Sequence, residues 1–78
     1  MEALSVYPNP FVDELHLEST AQQVVLYDLL GKEQYRQALR KSPSMLDLKH
    51  LPLGMYLLKA YDGQGKAISH EKALKMGR

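Results

Sequence analysis

The chain has no cysteine and no tryptophan, and its one phenylalanine is Phe11. Without cysteine there is neither a disulfide framework nor a thiolate metal site. An excess of charge of one sign is missing too. Ten basic and nine acidic residues leave a net charge of +1, which sets up no field to steer nucleic acid or an acidic membrane. No apolar run approaches the ~20 residues that a membrane helix needs. The first residues show no basic stretch followed by an apolar core, so no secretory leader is expected in them; an exported protein would carry its leader upstream or its address elsewhere. No segment repeats at a solenoid period. What remains is 78 residues, 45% of them hydrophobic, with a mean hydropathy of −0.34. A chain of this size is one domain at most and buries about 60–65% of its unfolded surface, which leaves a thin margin of stability.

The apolar residues alternate, which is the period of strands. The longest alternation follows Leu51-Pro52-Leu53-Gly54. Gly54 is the residue best able to take a positive φ at that corner. Beyond it, Tyr56, Leu58 and Ala60 point one way, and Met55, Leu57, Lys59 and Tyr61 the other. Both rows are largely apolar, so this segment reads as a central strand covered on both faces. A tyrosine two residues past a corner glycine fits the tyrosine corner of immunoglobulin-like sandwiches, whose hydroxyl bonds back to upstream backbone.

The rest of the chain agrees with that frame. Residues 3–7 form a short first strand that stops at Pro8-Asn9-Pro10, where two missing donors force an edge or a stiff turn. Phe11 plugs the end of the core. Residues 13–18 alternate with Leu15 and Leu17 inward and His16 outward. Residues 22–28 are apolar on both sides in the middle. Asp28-Leu29-Leu30-Gly31-Lys32 is a hairpin loop, with Asp28 accepting backbone N–H bonds and Gly31 in the left-handed position. Residues 32–37 make a polar edge strand. Residues 45–49 turn Leu46 and Leu48 inward. Asp62-Gly63-Gln64-Gly65 turns the chain into a last strand, 66–75, anchored by Ile68 and Leu74 before a frayed Met76-Gly77-Arg78. A helix over residues 39–53 is broken by Pro43 and Pro52. The expected fold is all-β: a single immunoglobulin-like antiparallel sandwich of about seven strands.

A search for reactive chemistry finds little. His16, His50 and His70 have no ligand spacing, so no metal is expected. Ser5, Ser19, Ser42, Ser44 and Ser69 lie in strands or turns, none on a nucleophile elbow. Gly63 and Gly65 open a hairpin and no helix follows them, so they do not cradle phosphate. Arg36, Arg40, Lys41 and Lys49 could group with Tyr35 as a basic patch, but Glu33 and Asp47 dilute it, and a solvated face is the better reading. No cofactor, nucleic acid or membrane span is expected. Three rival classes are weighed: a passive accessory module for adhesion or carbohydrate binding, which needs an aromatic platform or a calcium cluster; a nucleic-acid-binding barrel, which needs a clearly basic face; and, most distant, an enzyme, for which no constellation is found.

Four motifs follow one another at characteristic spacing: Val6-Tyr7-Pro8-Asn9-Pro10-Phe11; Val25-Leu26-Tyr27-Asp28-Leu29-Leu30-Gly31-Lys32; Leu46-Asp47-Leu48-Lys49-His50-Leu51-Pro52-Leu53-Gly54-Met55-Tyr56-Leu57-Leu58; and Lys72-Ala73-Leu74-Lys75. In that order, over nearly the whole chain, they resemble the type A C-terminal sorting domain of the type IX (Por) secretion system of Bacteroidetes. The resemblance implies a non-catalytic signal fused behind an N-terminal cargo. It implies transit through the periplasm, recognition by an outer-membrane translocon, and removal by a sortase-like peptidase that attaches the cargo to surface lipopolysaccharide. Pro52, Gly54, Tyr56, Lys72 and Lys75 match the positions tied to export, and Pro8, Asn9, Pro10 and Phe11 match the opening motif. The last strand is the expected docking element, with Lys72 and Lys75 discouraging self-pairing and meeting an acidic receptor. Two features depart from the pattern: three residues follow the last strand, and Ala73 is smaller than usual.

Overall fold

Seven alternating segments become seven strands in a computed structural model, which describes residues 4–77. They are β1 (Leu4–Tyr7), β2 (Glu14–Ser19), β3 (Gln23–Tyr27), β4 (Glu33–Ala38), β5 (Ser44–Asp47), β6 (Gly54–Tyr61) and β7 (Ala67–Lys75). The expected start of the first strand at Ala3 and the Arg78 end of the tail lie outside the described residues. One sheet has the order β1-β2-β5 and the other β4-β3-β6-β7, with every strand pair antiparallel. The chain changes sheet after β2, β4 and β5, so the two layers are stitched together as in an immunoglobulin-like sandwich. No helix forms where Pro43 and Pro52 interrupt the helical rival; β5 occupies that stretch.

The core is where the inner rows meet. Leu15 and Leu17 of β2 and Leu46 of β5 face Val24, Leu26, Tyr56 and Leu58 of the other sheet, all of them buried. Phe11 closes one end with none of its surface exposed. Each fully buried leucine or phenylalanine contributes about 1.5–3 kcal/mol.

The two hairpins of the larger sheet use the same device. In the β3–β4 turn, Asp28 Oδ1 accepts the Leu30 and Lys32 amides, both at 2.9 Å, and Oδ2 accepts Gln34 Nε2 at 2.9 Å. In the β6–β7 turn, Asp62 Oδ1 accepts the Gln64 and Lys66 amides, both at 2.9 Å. Gly31 and Gly65 supply φ values of 84° and 83°, which L side chains rarely adopt. The backbone amide of Lys32 holds the Asp28 carboxyl below its ordinary range, and that of Lys66 does the same for Asp62.

Three expectations need correction. The outer row of β6 is not covered by a further layer. Met55, Leu57, Lys59 and Tyr61 are only half-buried, because a two-layer sandwich shields one face of each sheet. In β7 the inward residues are Ala73 and Lys75, not Leu74, which lies opposite Met55 on the outer face; Ile68 is half-buried. Met76 is not frayed, since its amide donates to the Phe11 carbonyl at 2.8 Å. The basic patch that the sequence reading set aside in favour of a solvated face does not join Tyr35 to Arg36. Tyr35 packs against the core, while Arg36, its neighbour on the opposite side of β4, pairs with Glu33 at 2.6 Å.

Candidate functional site

The corner before β6 is built by geometry rather than crowding. Gly54 has φ 138°, yet a side chain placed there would meet nothing within 4 Å. Backbone conformation alone therefore demands the glycine. Two residues on, Tyr56 turns inward and keeps only 4% of its surface exposed. Its hydroxyl donates to the Pro52 carbonyl at 2.5 Å, so the bond back to upstream backbone is present. Burial pushes the Tyr56 phenol above its ordinary pKa, with the Asp28 charge adding to the shift.

The register then brings the distant motifs to one place. Gly54 lies opposite Lys75, and Tyr56 opposite Ala73. On the other side of β7, Phe11 forms a parallel bridge with Lys75. The Phe11 amide donates to the Leu74 carbonyl at 2.9 Å. Asn9 extends this contact through its side chain. Asn9 Nδ2 donates to the Lys72 carbonyl at 2.8 Å, and the Leu74 amide donates to Asn9 Oδ1 at 3.1 Å. The primary amide thus imitates one unit of a neighbouring strand, and a proline-flanked segment closes an edge that it could not close by its own backbone alone.

Lys75 is a further correction to the sequence reading, which placed it on the surface to meet a receptor. It is 5% exposed. Its Nζ donates to the Val12 carbonyl at 2.5 Å and to the Leu48 carbonyl at 2.9 Å, and stands 5.7 Å from the centre of the Phe11 ring. A buried ammonium is tolerated only when its donors are satisfied, and here one carbonyl comes from each of two loops that carry the chain into β2 and β6. Lys75 therefore ties three segments at the end of the sandwich. Lys72 remains exposed, on the outer face opposite Leu57. Pro8, Asn9, Pro10 and Pro52 are also exposed, while Phe11 is core.

Clasping changes which part of β7 is free. Its outer edge is occupied at residues 72–76 by Asn9 and Phe11. Residues 67–71 are hydrogen-bonded to no strand on that side among the described residues, although β1 passes near β7. The outer face beside them holds features that the sequence reading did not single out. Tyr27 and Tyr61 share a hydroxyl–hydroxyl bond of 2.7 Å, and Lys59 Nζ lies 5.7 Å from the Tyr27 ring centre. Burial, then the bond to Tyr27, pushes the Tyr61 phenol up to about 12. Val25, which also faces outward, is 1% exposed beneath these side chains.

Nothing in this arrangement is a reactive constellation. The described residues present bonded backbone, satisfied turns and an uneven surface. Among them no group of three or more histidine, aspartate and glutamate side chains could hold a metal ion. Among the described residues no helix is long and apolar enough to cross a membrane. Comparison with curated proteins found no match. Comparison with family models did: the secretion system C-terminal sorting domain, the Por secretion tail, matches residues 5–74. That span takes in the Asn9 clasp, the Tyr56 corner and all but the last residue of β7. The chain belongs to the family of C-terminal sorting domains of the type IX secretion system.

Proposed function

We propose that this domain is a folded, non-catalytic export address that directs an attached N-terminal cargo through the type IX outer-membrane translocon and on to attachment at the cell surface. The observation that carries this reading is the clasp. The opening motif and the last strand, some 63 residues apart in sequence, are joined by Asn9 and Phe11 into one unit, so a receptor that reads β7 reads a completed fold. Family membership supports the reading, because such domains act as signals on secreted cargo and are in general not enzymes. In this account Gly54, Tyr56, Phe11 and Lys75 hold the address in shape. Lys72 and the free edge at residues 67–71 stand on its surface. Docking by strand addition is confined to that stretch, where backbone groups are hydrogen-bonded to no further strand. Removal by a sortase-like peptidase and joining of the cargo to lipopolysaccharide are the later steps of the same route.

The test is a fluorescent reporter carrying an inner-membrane leader and ending in this domain, expressed in a Bacteroidetes host with and without a working type IX translocon. Surface fluorescence that disappears with the translocon is the expected result. Equal display in both hosts, or retention in both, refutes the reading.

A further inference from the structure

Most of the exposed large apolar side chains gather at one end of the sandwich. Leu29 and Leu30 at the β3–β4 turn are 75% and 94% exposed, Leu53 is 65% exposed, and Met76 is 48% exposed. Two of them, Leu29 and Leu53, are neighbours in space; Leu30 adjoins Leu29 in sequence, and Met76 adjoins Gly77, which Leu53 approaches. Leu29 and Leu53 line one cleft of about 280 Å³ together with Pro52, Gly54 and Met55, and Leu53 lies 3.4 Å from the position of a Cβ on Gly77. Isolated surface leucines need no explanation, but a contiguous group at one end of a small domain marks a contact surface.

The group continues into a groove. On the outer face of the larger sheet, Leu57 and Met55 form a floor flanked by Tyr27 and Leu29, with Lys59 and Lys72 at the side, enclosing about 370 Å³. That space is large enough to take one or two large side chains. Its lining is net positive, two lysines against the one carboxylate of Asp28. The carboxylate on its wall, Asp28, is already engaged by two backbone amides and Gln34. Lys59 and Lys72 form no ion pair among the described residues. The groove thus presents apolar surface with two ammonium groups that are in no ion pair among the described residues.

We infer that this groove and the leucine-rich end beside it are the surface by which a protein partner holds the domain, and that the partner offers a large apolar side chain next to a carboxylate. The apolar group enters between Tyr27 and Leu29 over Leu57, and the carboxylate meets Lys72 and Lys59. Apolar burial supplies the affinity, and charge complementarity selects the segment and its direction. This inference rests on the reading of the domain as an export address and names the chemistry of what reads it. It also gives Lys72 a role distinct from that of Lys75, which is buried on the opposite face of the same strand.

Two experiments test it. The first titrates the isotope-labelled domain by NMR with a capped peptide of two leucines flanked by glutamates, and with its counterpart flanked by lysines. Shifts at the amides of Tyr27, Leu29, Met55, Leu57 and Lys72, with the acidic peptide binding about tenfold more tightly, are expected. Lys72→Glu should abolish that preference, and Lys72→Arg should keep it. Equal response to both peptides, or shifts on the β1-β2-β5 face, overturns the inference. So does a concentration-dependent shift of the same amides without peptide, which assigns the groove to a second copy. The second experiment compares reporter fusions carrying Leu29→Ser with Leu53→Ser, or Lys72→Glu, after equal melting curves have been established. A wild-type fusion that stays inside removes the export reading alone. A wild-type fusion on the surface, with the variants less displayed, supports the inference; variants displayed equally to wild type remove it.

Discussion

Replacing Lys75 with alanine is the sharpest perturbation of the fold. The side chain is 5% exposed and donates to Val12 and Leu48 carbonyls. The two acceptors do not lose equally. Leu48 O also accepts the Leu51 amide at 3.2 Å, so it keeps a partner. Val12 O loses the one partner found for it, and an orphaned buried acceptor costs about 1–3 kcal/mol. Loss of the second charge-assisted bond and of the buried methylene stem adds roughly 3–5 kcal/mol. Against these stands the relief of an ammonium no longer held out of water. The net expectation is a loss of about 2–4 kcal/mol, out of roughly 4–12 kcal/mol for a domain of this length. Urea denaturation followed by circular dichroism reads it directly, with Lys72→Ala as the control. Lys72 is exposed, and its replacement should shift stability by no more than about 0.5 kcal/mol. Lys75→Met separates the causes, because it restores the stem but not the donors. Equal midpoints for Lys75→Ala and Lys72→Ala would refute the reasoning.

Other residues give narrower tests. Tyr56→Phe removes only the bond to the Pro52 carbonyl and should cost about 1 kcal/mol in the same titration. Tyr56→Ala should cost about 3–5 kcal/mol and abolish export by unfolding the domain; a well-folded but unexported Tyr56→Ala would mean direct contact instead. Gly54→Ala has open space but an unfavourable φ, so it should destabilise by about 1–2 kcal/mol, and an unchanged midpoint would show that the corner relaxes. The carboxyls of Asp28 and Asp62 have folded pKa values below their unfolded ones. Their contribution is therefore present above the unfolded carboxylate pKa and fades as pH falls through the folded values. Asp28→Asn with Asp62→Asn should flatten the acid limb of a stability–pH curve. Tyr61 behaves in the opposite sense. Its folded pKa of about 12 lies above the unfolded value near ~10, so its stabilisation is full below that value and is lost as pH rises through the folded one. Tyr61→Phe should remove this alkaline dependence.

Much of this architecture was legible because strands announce themselves by alternation. Leu15 and Leu17, Leu46 and Leu48, and Tyr56 with Leu58 each give the inner face away, and the aspartate–glycine turns locate both hairpins of the larger sheet. The Tyr56 corner was readable because its bond spans only four residues. The last strand was harder. Lys72 and Lys75 are three positions apart, and in a strand an odd separation puts two side chains on opposite faces. Treating both as surface lysines overlooked that parity. The inward place of Ala73 was hidden by its size, since Leu74 looks like the anchor until Tyr56 is seen filling the space opposite Ala73. The outer row of β6 misled for a related reason: Met55 and Leu57 are apolar whether a further layer covers them or a groove exposes them. No local signal announces the Asn9 clasp, because its partners lie 63 and 65 residues away.

One measurement bears most directly on whether a completed fold, rather than a string of residues, is what the secretion machinery reads. Variants at Lys75, Tyr56 and Gly54 are ranked by folded fraction at the host's growth temperature and by surface display of the same fused reporter. Display that falls with folded fraction along a single curve is the predicted result. Wild-type display from a variant that is unfolded at that temperature would contradict the account.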